Sequence, residues 1–333
     1  MPQLPPGRRP FLGMLAGLGL ISLNAAGQTP AGADGYPNKP VRLITPFPPG
    51  GGADAVSRIL SIGLTRLWNQ QLVVDNRPGA QGNIGTLLAT KAPADGYTLV
   101  IAHQGVLTVN AHLYRKIGFD PLKDLIPVSL CTVQPFLLVA HPSVPARTMA
   151  ELTALAKREP GKLTFASTAS GPQIAGELYK SLAGIDMLHV TYKGGGPAVI
   201  DLLAGNVDLA VASPTSVVPH VKSGKLRAIA LFGGERMEAL PDVPTAAEAG
   251  YPALGQNPEW FGIAVPAGTP QAIVRKLNQD ISTVLESPEA QKSIRTLGLI
   301  PTTSTPDAFA QRIQNDYEVW GKVVKTSGVR TEE

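Results

Sequence analysis

The groups in this chain best placed to do chemistry belong to the main chain. Thr45-Pro46-Phe47-Pro48-Pro49-Gly50-Gly51-Gly52-Ala53-Asp54 sets three prolines ahead of three successive glycines. The prolines fix φ, and the glycines strip away side chains just where a helical pattern begins, leaving N–H groups bare. An apolar run, Val41 to Thr45, precedes the loop, so the order is strand, loop, helix. Unpaired amides and the positive end of a helix dipole at such a turn suit a carboxylate or phosphate. The alternative is that the glycines only permit a tight turn.

Other loops after strand-like runs carry related chemistry. Ser167-Thr168-Ala169-Ser170-Gly171-Pro172-Gln173 brings three hydroxyls and a glycine to a helix start, a second anion seat opposite the first, unless Ser170 is merely an N-cap. Thr191-Tyr192-Lys193-Gly194-Gly195-Gly196-Pro197 again exposes backbone before a helix. There Tyr192, with an apolar face and one hydroxyl, suits a cleft wall, while Lys193 either pairs with an anion or is a solvated surface charge. Ser213 opens a further polar loop, and Asp208, inside an apolar strand, must either hold a loop in place or accept from a ligand. His103-Gln104-Gly105 completes the set, with His103 read as a structural hydrogen-bonding group or a ligand contact.

Catalytic and cofactor signatures are missing. Asn76 to Gly85 spaces its glycines G-x-x-G-x-x-G, not G-x-G-x-x-G, and no acidic residue ends the next strand, which excludes a dinucleotide site. The sequence contains no G-K-[ST], G-x-S-x-G, H-E-x-x-H or C-x-x-C. Its histidines, at 103, 112, 141, 189 and 220, lack ligand spacing, so neither a metal nor a cofactor is expected. Cys131 is the only cysteine and reads as a buried small apolar residue. Loops rich in glycine and hydroxyls but poor in acids and bases bind; an enzyme is not expected.

The elements that must position these loops alternate. Val41 to Thr45, Gln71 to Asp75 and Thr98 to Ala102 read as strands, separated by helices over Ala53 to Trp68 and Asn83 to Lys91, which is the order of a parallel sheet. Ala55, Ile59, Ile62 and Leu67 are expected to face that sheet. A second alternation follows Pro142, with helices at 149–157, 173–182 and 197–204 and strands at 163–167, 188–192, 207–212 and 226–231. Phe136 to Ala140 and Trp260 to Val265 bracket it and are expected to be paired crossovers. Three proline-opened helices, at 271–285, 288–296 and 306–325, should return to the first unit. The fold class is therefore α/β, in two doubly wound lobes: residues 36–137 with 259–333, and residues 138–258. Ligands of such sheets bind beyond the carboxyl ends of the strands, here in a hinged cleft.

Residues 1–27 have the parts of an export signal: Arg8 and Arg9, an apolar run from Phe11 to Leu23, then Ala25, Ala26 and Gly27. The run is short for a membrane span. Arg8-Arg9-Pro10-Phe11-Leu12 fits a twin-arginine signal, and an ordinary Sec signal fits equally. No cysteine sits near the cleavage region to carry a lipid, and 28–35 reads as a disordered leader. Of 333 residues, 29 are basic and 25 acidic; without Arg8 and Arg9 the balance is 27 against 25, too even to call for nucleic acid or an anionic membrane.

Taken together, these motifs resemble the Bug-type extracytoplasmic solute receptors, the substrate-binding proteins of tripartite tricarboxylate transporters. The resemblance rests on Tyr36-Pro37 with Pro40-Val41, the Pro46 to Asp54 loop, Asn76-Arg77-Pro78-Gly79-Ala80 with Gly82-Asn83-Ile84-Gly85, Asp95-Gly96-Tyr97-Thr98-Leu99, Tyr192-Lys193-Gly194 and Leu240-Pro241-Asp242-Val243-Pro244-Thr245. It implies a periplasmic binding protein of type II that closes over a small organic acid, a mono- or dicarboxylate, and delivers it to a two-component membrane permease. By position it implicates Phe47, Pro49, Gly50 and Gly51 through backbone groups and bridging waters, with Asp54 acting through water or as a helix N-terminal stabiliser. The hydroxyl-rich loop contributes Ser167, Thr168, Ser170 and Gly171, and Gln104, Tyr192, Asp208 and Ser213 fill out the expected contacts. Gln173 stands where the family pattern has histidine and Pro172 intrudes, so a neutral amide replaces a cationic contact and favours a less charged acid, or its amide. A monomer is expected. The alternatives are a sensor subunit that presents its ligand to a membrane kinase, and an enzyme on the same fold using His103 or Asp208.

Overall fold

The computed structural model describes residues 35–256 and 258–327. The expected signal and all but the last residue of the expected leader lie outside the described residues. In chain order the first strands and helices are β1 (Val41–Thr45), α1 (Gly52–Trp68), β2 (Leu72–Asn76), α2 (Asn83–Thr90) and β3 (Thr98–His103). A π-helical turn, Gly105–Val109, runs into the short α3 (Asn110–Leu113), and β4 (Leu125–Gln134) leads through Pro135 into β5 (Phe136–Ala140). Next come α4 (Met149–Arg158), β6 (Thr164–Ser167), α5 (Ser170–Ala183), β7 (Leu188–Thr191), α6 (Gly195–Ala204), β8 (Leu209–Ala212), α7 (Pro214–Lys222) and β9 (Arg227–Phe232). The chain then returns through β10 (Glu259–Pro266) and ends in α8 (Gln271–Glu286), α9 (Pro288–Thr296), β11 (Ile300–Pro301) and α10 (Pro306–Ser327).

Two sheets form, in the orders β11-β4-β10-β3-β1-β2 and β7-β6-β8-β5-β9. In the first, β1 pairs in parallel with β2 and β3, and β10 inserts antiparallel between β3 and β4. In the second, β6, β7 and β8 are parallel and β5 runs against β8 and β9. Both expected crossover strands exist, each lying wholly in one sheet: the crossings come just before them, at Pro135 and in the connection that ends at Glu259. Apolar residues fill both faces of the second sheet, Phe136, Phe165 and Phe232 on one side and Leu137, Leu202 and Leu231 on the other. The first core gathers Leu43, Leu60, Leu99, Trp260 and Phe309, and two buried indole N–H groups, of Trp68 and Trp260, donate to Asp280 and Asp316 of the terminal helices.

One expected face is corrected. Ala53, Val56, Leu60, Leu64 and Trp68 of α1 are buried, whereas Ile62 is 63% exposed, Leu67 47% exposed, and Ala55 and Ile59 only half-buried. The helix is apolar on more than one side, and the buried set at i, i+3, i+7, i+11 is rotated by about one residue from the expected one. Four elements went unforeseen: β4, α3, α7 and β11. Pro219 interrupts the helical pattern of α7, and Pro127 that of β4.

Candidate functional site

The loop after β1 is held by Asp54, whose side chain is nearly buried. Its Oδ2 accepts from the Gly50 amide (3.0 Å) and from Arg58 Nε (2.8 Å), and its Oδ1 accepts from Asn76 Nδ2 (3.1 Å), which also donates to the Phe47 carbonyl. Burial alone would raise this carboxyl, but the hydrogen bonds from Arg58, Gly50 and Asn76 outweigh it and hold it below the usual carboxylate range. Gly50 lies at φ +90°, a conformation that favours glycine. Gly52 permits a close approach: a Cβ there would lie 2.9 Å from the Phe261 ring and 3.1 Å from Thr215 Oγ1 of α7. Asp54 thus shapes the loop with both oxygens committed inside the protein.

The floor of the cleft is a buried polar cluster. His103, at the end of β3, is flanked by Phe47 and Phe261, with ring centroids 4.8 and 5.2 Å away. Its Nε2 meets Glu259 Oε1 at 3.1 Å, and both side chains are 3% exposed. Facing a carboxylate, Nε2 is the protonated nitrogen. Glu259 Oε2 accepts from Gln134 Nε2 (3.1 Å) and from the Ser213 hydroxyl. One carboxylate at the start of β10 therefore joins β3, the end of β4 and the loop after β8, groups from both sheets.

Above this floor lies a cavity of about 30 Å³, room for one or two water-sized groups. Gly51, which caps α1, and Gly52 and Ala53 of its first turn line it from one side, Gly194 and Gly195 at the start of α6 from the other, together with Thr168, Ser213 and Ser216. The first-turn amides of a helix have no intrahelical partner, so two helix N-termini and three hydroxyls converge on one small space. Among the described residues no lysine or arginine lines it, and His103 and Glu259 are its ionisable groups. Phe47, Pro48 and Thr168 also line a wider space of about 640 Å³ at the mouth, with Gln81, Ile84, Tyr114, Tyr192 and Lys193. The lobes touch across it: Gln81 Nε2 donates to Gln173 Oε1 (3.2 Å), and Gly194 lies close against Pro48.

The expected site residues divide accordingly. Phe47, Gly51, Thr168 and Ser213 line the deep cavity, Tyr192 lines the mouth, and Gln173 reaches across between the lobes. Pro49 and Gly50 sit exposed at the rim. Tyr192 donates its hydroxyl to Asp201 (2.6 Å). Ser167 pairs with His189 Nε2 at 2.7 Å, fully buried and outside both cavities. Gln104, beside Gly171, and Ser170, beside Gly105, are buried, also outside the cavities. Asp208 does not join the site: it precedes β8, at the end away from Ser213, and its Oδ2 accepts from the Thr164 amide and hydroxyl (2.8 Å each), holding β6 to β8. Glu259, Gln81, Gly52, Ser216 and Phe261 were missed. For Glu259 the signal available was a single acid opening an otherwise apolar strand.

Residues 56–329 match the family model for the tripartite tricarboxylate transporter family receptor. Protein BugT of Bordetella pertussis (strain Tohama I) is 37% identical over 320 residues, 95% of this chain and 98% of BugT. Among solved structures, R. palustris Rpa4515 with adipate superposes with a TM-score of 0.86 at 33% identity, covering 89% of this chain and 99% of that one. MatC (Rpa3494) from Rhodopseudomonas palustris with bound malate gives 0.83 at 31% identity, covering 87% and 100%.

Proposed function

Because the chain belongs to the tripartite tricarboxylate transporter receptor family, and is a solute-binding receptor, we propose that it captures a small organic acid in the periplasm and hands it to a two-component membrane permease. Residues 36–135 with 259–327 form one lobe and 136–256 the other, the boundary falling at Pro135 and not after the expected 137 because Phe136 and Leu137 pack in the cores of the second sheet, and the acid is held where the lobes meet. The observation that carries this reading is the deep cavity, in which the first turns of α1 and α6 oppose each other with Thr168, Ser213 and Ser216 between them. A carboxylate there accepts from the first-turn N–H groups and the Thr168 and Ser216 hydroxyls, neutral dipoles that must also offset the Glu259 carboxylate beside it, since the Ser213 proton is already given to Glu259. The cavity takes a carboxylate and little more, so the body of the solute runs toward the mouth between Phe47, Pro48 and Tyr192, with Lys193 at its outer edge. Neighbours solved with adipate and malate support an acid of this size.

Binding without turnover fits the surroundings. The Ser213 hydroxyl donates to Glu259, and of the two hydroxyl–imidazole pairs among the described residues Ser167 with His189 is shut away from the cleft and Ser143 with His141 lies exposed outside both cavities. The test is a thermal-shift screen of aliphatic and aromatic mono- and dicarboxylates, each beside its methyl ester and its amide. At 100 times the dissociation constant a bound acid adds roughly 2.7 kcal/mol of stability. The expected result is a shift from an acid that vanishes in its ester. Shifts from amides or uncharged solutes alone overturn the carboxylate reading.

A further inference from the structure

Gln104 and Ser170 lie where the lobes meet, Gln104 against Gly171 and Ser170 against Gly105, and neither side chain finds a hydrogen-bond partner among the described residues. Gln104 is completely buried and Ser170 is 1% exposed, and among the described residues neither Gln104 Oε1 or Nε2 nor Ser170 Oγ has a partner. Two glycines allow this apposition. A Cβ on Gly105, in the π-helical turn after β3, would lie 2.7 Å from Ser170 Oγ and 3.1 Å from the Gly171 amide nitrogen; one on Gly171, at the start of α5, would lie 2.8 Å from Gln104 Oε1. The turn belongs to the first sheet and α5 to the second, so the contact exists only while the lobes are together. Beside it Val109, Leu113, Trp320 and Val324 pack around Ile174 of α5. The same surface therefore contains a patch of apolar side chains that favours closing and four buried polar atoms that oppose it, the three of Gln104 and Ser170 and Trp320 Nε1 within the patch, since a buried group without a partner loses its water for nothing.

We propose that this contact sets the closing equilibrium of the receptor, and through it the affinity for the solute. The unpaired amide and hydroxyl hold the ligand-free protein open, where both reach water, and the solute must supply the difference. Apparent affinity is reduced by the fraction of molecules that are not closed. Gln104 is on this view a positioning residue, not a ligand contact. The proposal rests on closure over the solute, as described above, but its first measurement needs no solute.

Gln104→Leu keeps the volume of the side chain and removes its polar atoms; Ser170→Ala removes the hydroxyl alone and serves if the first variant folds poorly. Small-angle X-ray scattering of the ligand-free protein should show the wild type more extended than the profile calculated from the closed structure, and both variants shifted toward it. Gln104→Glu should shift the other way. For an acid that stabilises the wild type, adipate being the first to try, Gln104→Leu should tighten binding about tenfold. The proposal is overturned if the ligand-free wild type already scatters as the closed form, or if the variants leave the profile unchanged. Weaker binding by Gln104→Leu at an unchanged profile overturns it too, and makes Gln104 a ligand contact. If no acid binds yet the profiles shift as described, the solute reading fails and the closing equilibrium stands.

Discussion

Asp54 shows how a residue inside a binding motif can serve the site without touching the ligand. Its carboxylate satisfies the Gly50 amide, Arg58 and Asn76, so Asp54→Ala leaves the Gly50 amide and Arg58 without this acceptor and Asn76 with only the Phe47 carbonyl. A loss of about 2–3 kcal/mol in urea unfolding is expected, together with loss of solute binding, and Asp54→Asn should recover part of both. Its carboxyl is held below its ordinary value, so the contribution is complete above about pH 4, the unfolded value, and disappears as pH falls through the folded one. Gly52 makes the complementary case. In Gly52→Ala the new Cβ meets the buried Phe261 ring at 2.9 Å and crowds α7, so the acid identified in the screen should bind about tenfold more weakly by calorimetry. The site's backbone half was legible because prolines and glycines declare backbone conformation locally. Glu259 was not, since a lone acid announces nothing until the fold brings His103, Gln134 and Ser213 to it.

Single elements were read well where one local rule dominated. β1 was placed residue for residue, and the parallel pairing of β1 with β2 and β3 followed from the alternation of strand and helix. α7 was missed because Pro219 costs a helix one hydrogen bond and the tertiary contacts of Val217 and Val218 override it; the phase of α1 was misjudged because burial, not apolar content, decides which face turns inward. β7 carries a consequence for pH. Its His189 is pushed down to about 4 by burial, with the Lys180 charge adding, and the neutral ring shares a hydrogen bond with the Ser167 hydroxyl. The unfolded chain takes up that proton near pH 6.5 and the folded one only near 4, so stability is full above 6.5 and falls between these values. Urea midpoints from pH 7 to 4 should show a loss of about 2–3 kcal/mol attributable to this site, and His189→Gln should flatten the slope. His112, lowered by burial despite donating to the Tyr317 carbonyl, adds a slope of the same sign that His189→Gln leaves in place.

At the scale of the whole molecule, the question is what ties ligand capture to the hinge, and the geometry centres it on Glu259. The residue opens β10, where the chain re-enters the first sheet, while its partner Gln134 closes β4, immediately before the chain leaves it. A third partner, Ser213, lines the deep cavity from the second lobe, and His103 supports the same cavity from the first. A buried carboxylate surrounded by three donors is worth little against an apolar replacement, yet removing one member leaves the others unpaired, so each substitution reports on a different connection. Glu259→Gln puts an amide N–H where a donor already points and should cost about 2–4 kcal/mol in unfolding as well as weakening binding. Ser213→Ala leaves the carboxylate with its two first-lobe donors. It should cost about 1 kcal/mol in unfolding yet weaken binding at least as much as that loss implies, because it removes both a cavity hydroxyl and the only one of the three bonds that reaches the second lobe. Equal losses of binding and unequal losses of stability in the two variants are the signature expected if Glu259 couples the hinge to the cleft. Were Ser213→Ala to bind like the wild type, the cluster would be a structural support of the first lobe alone.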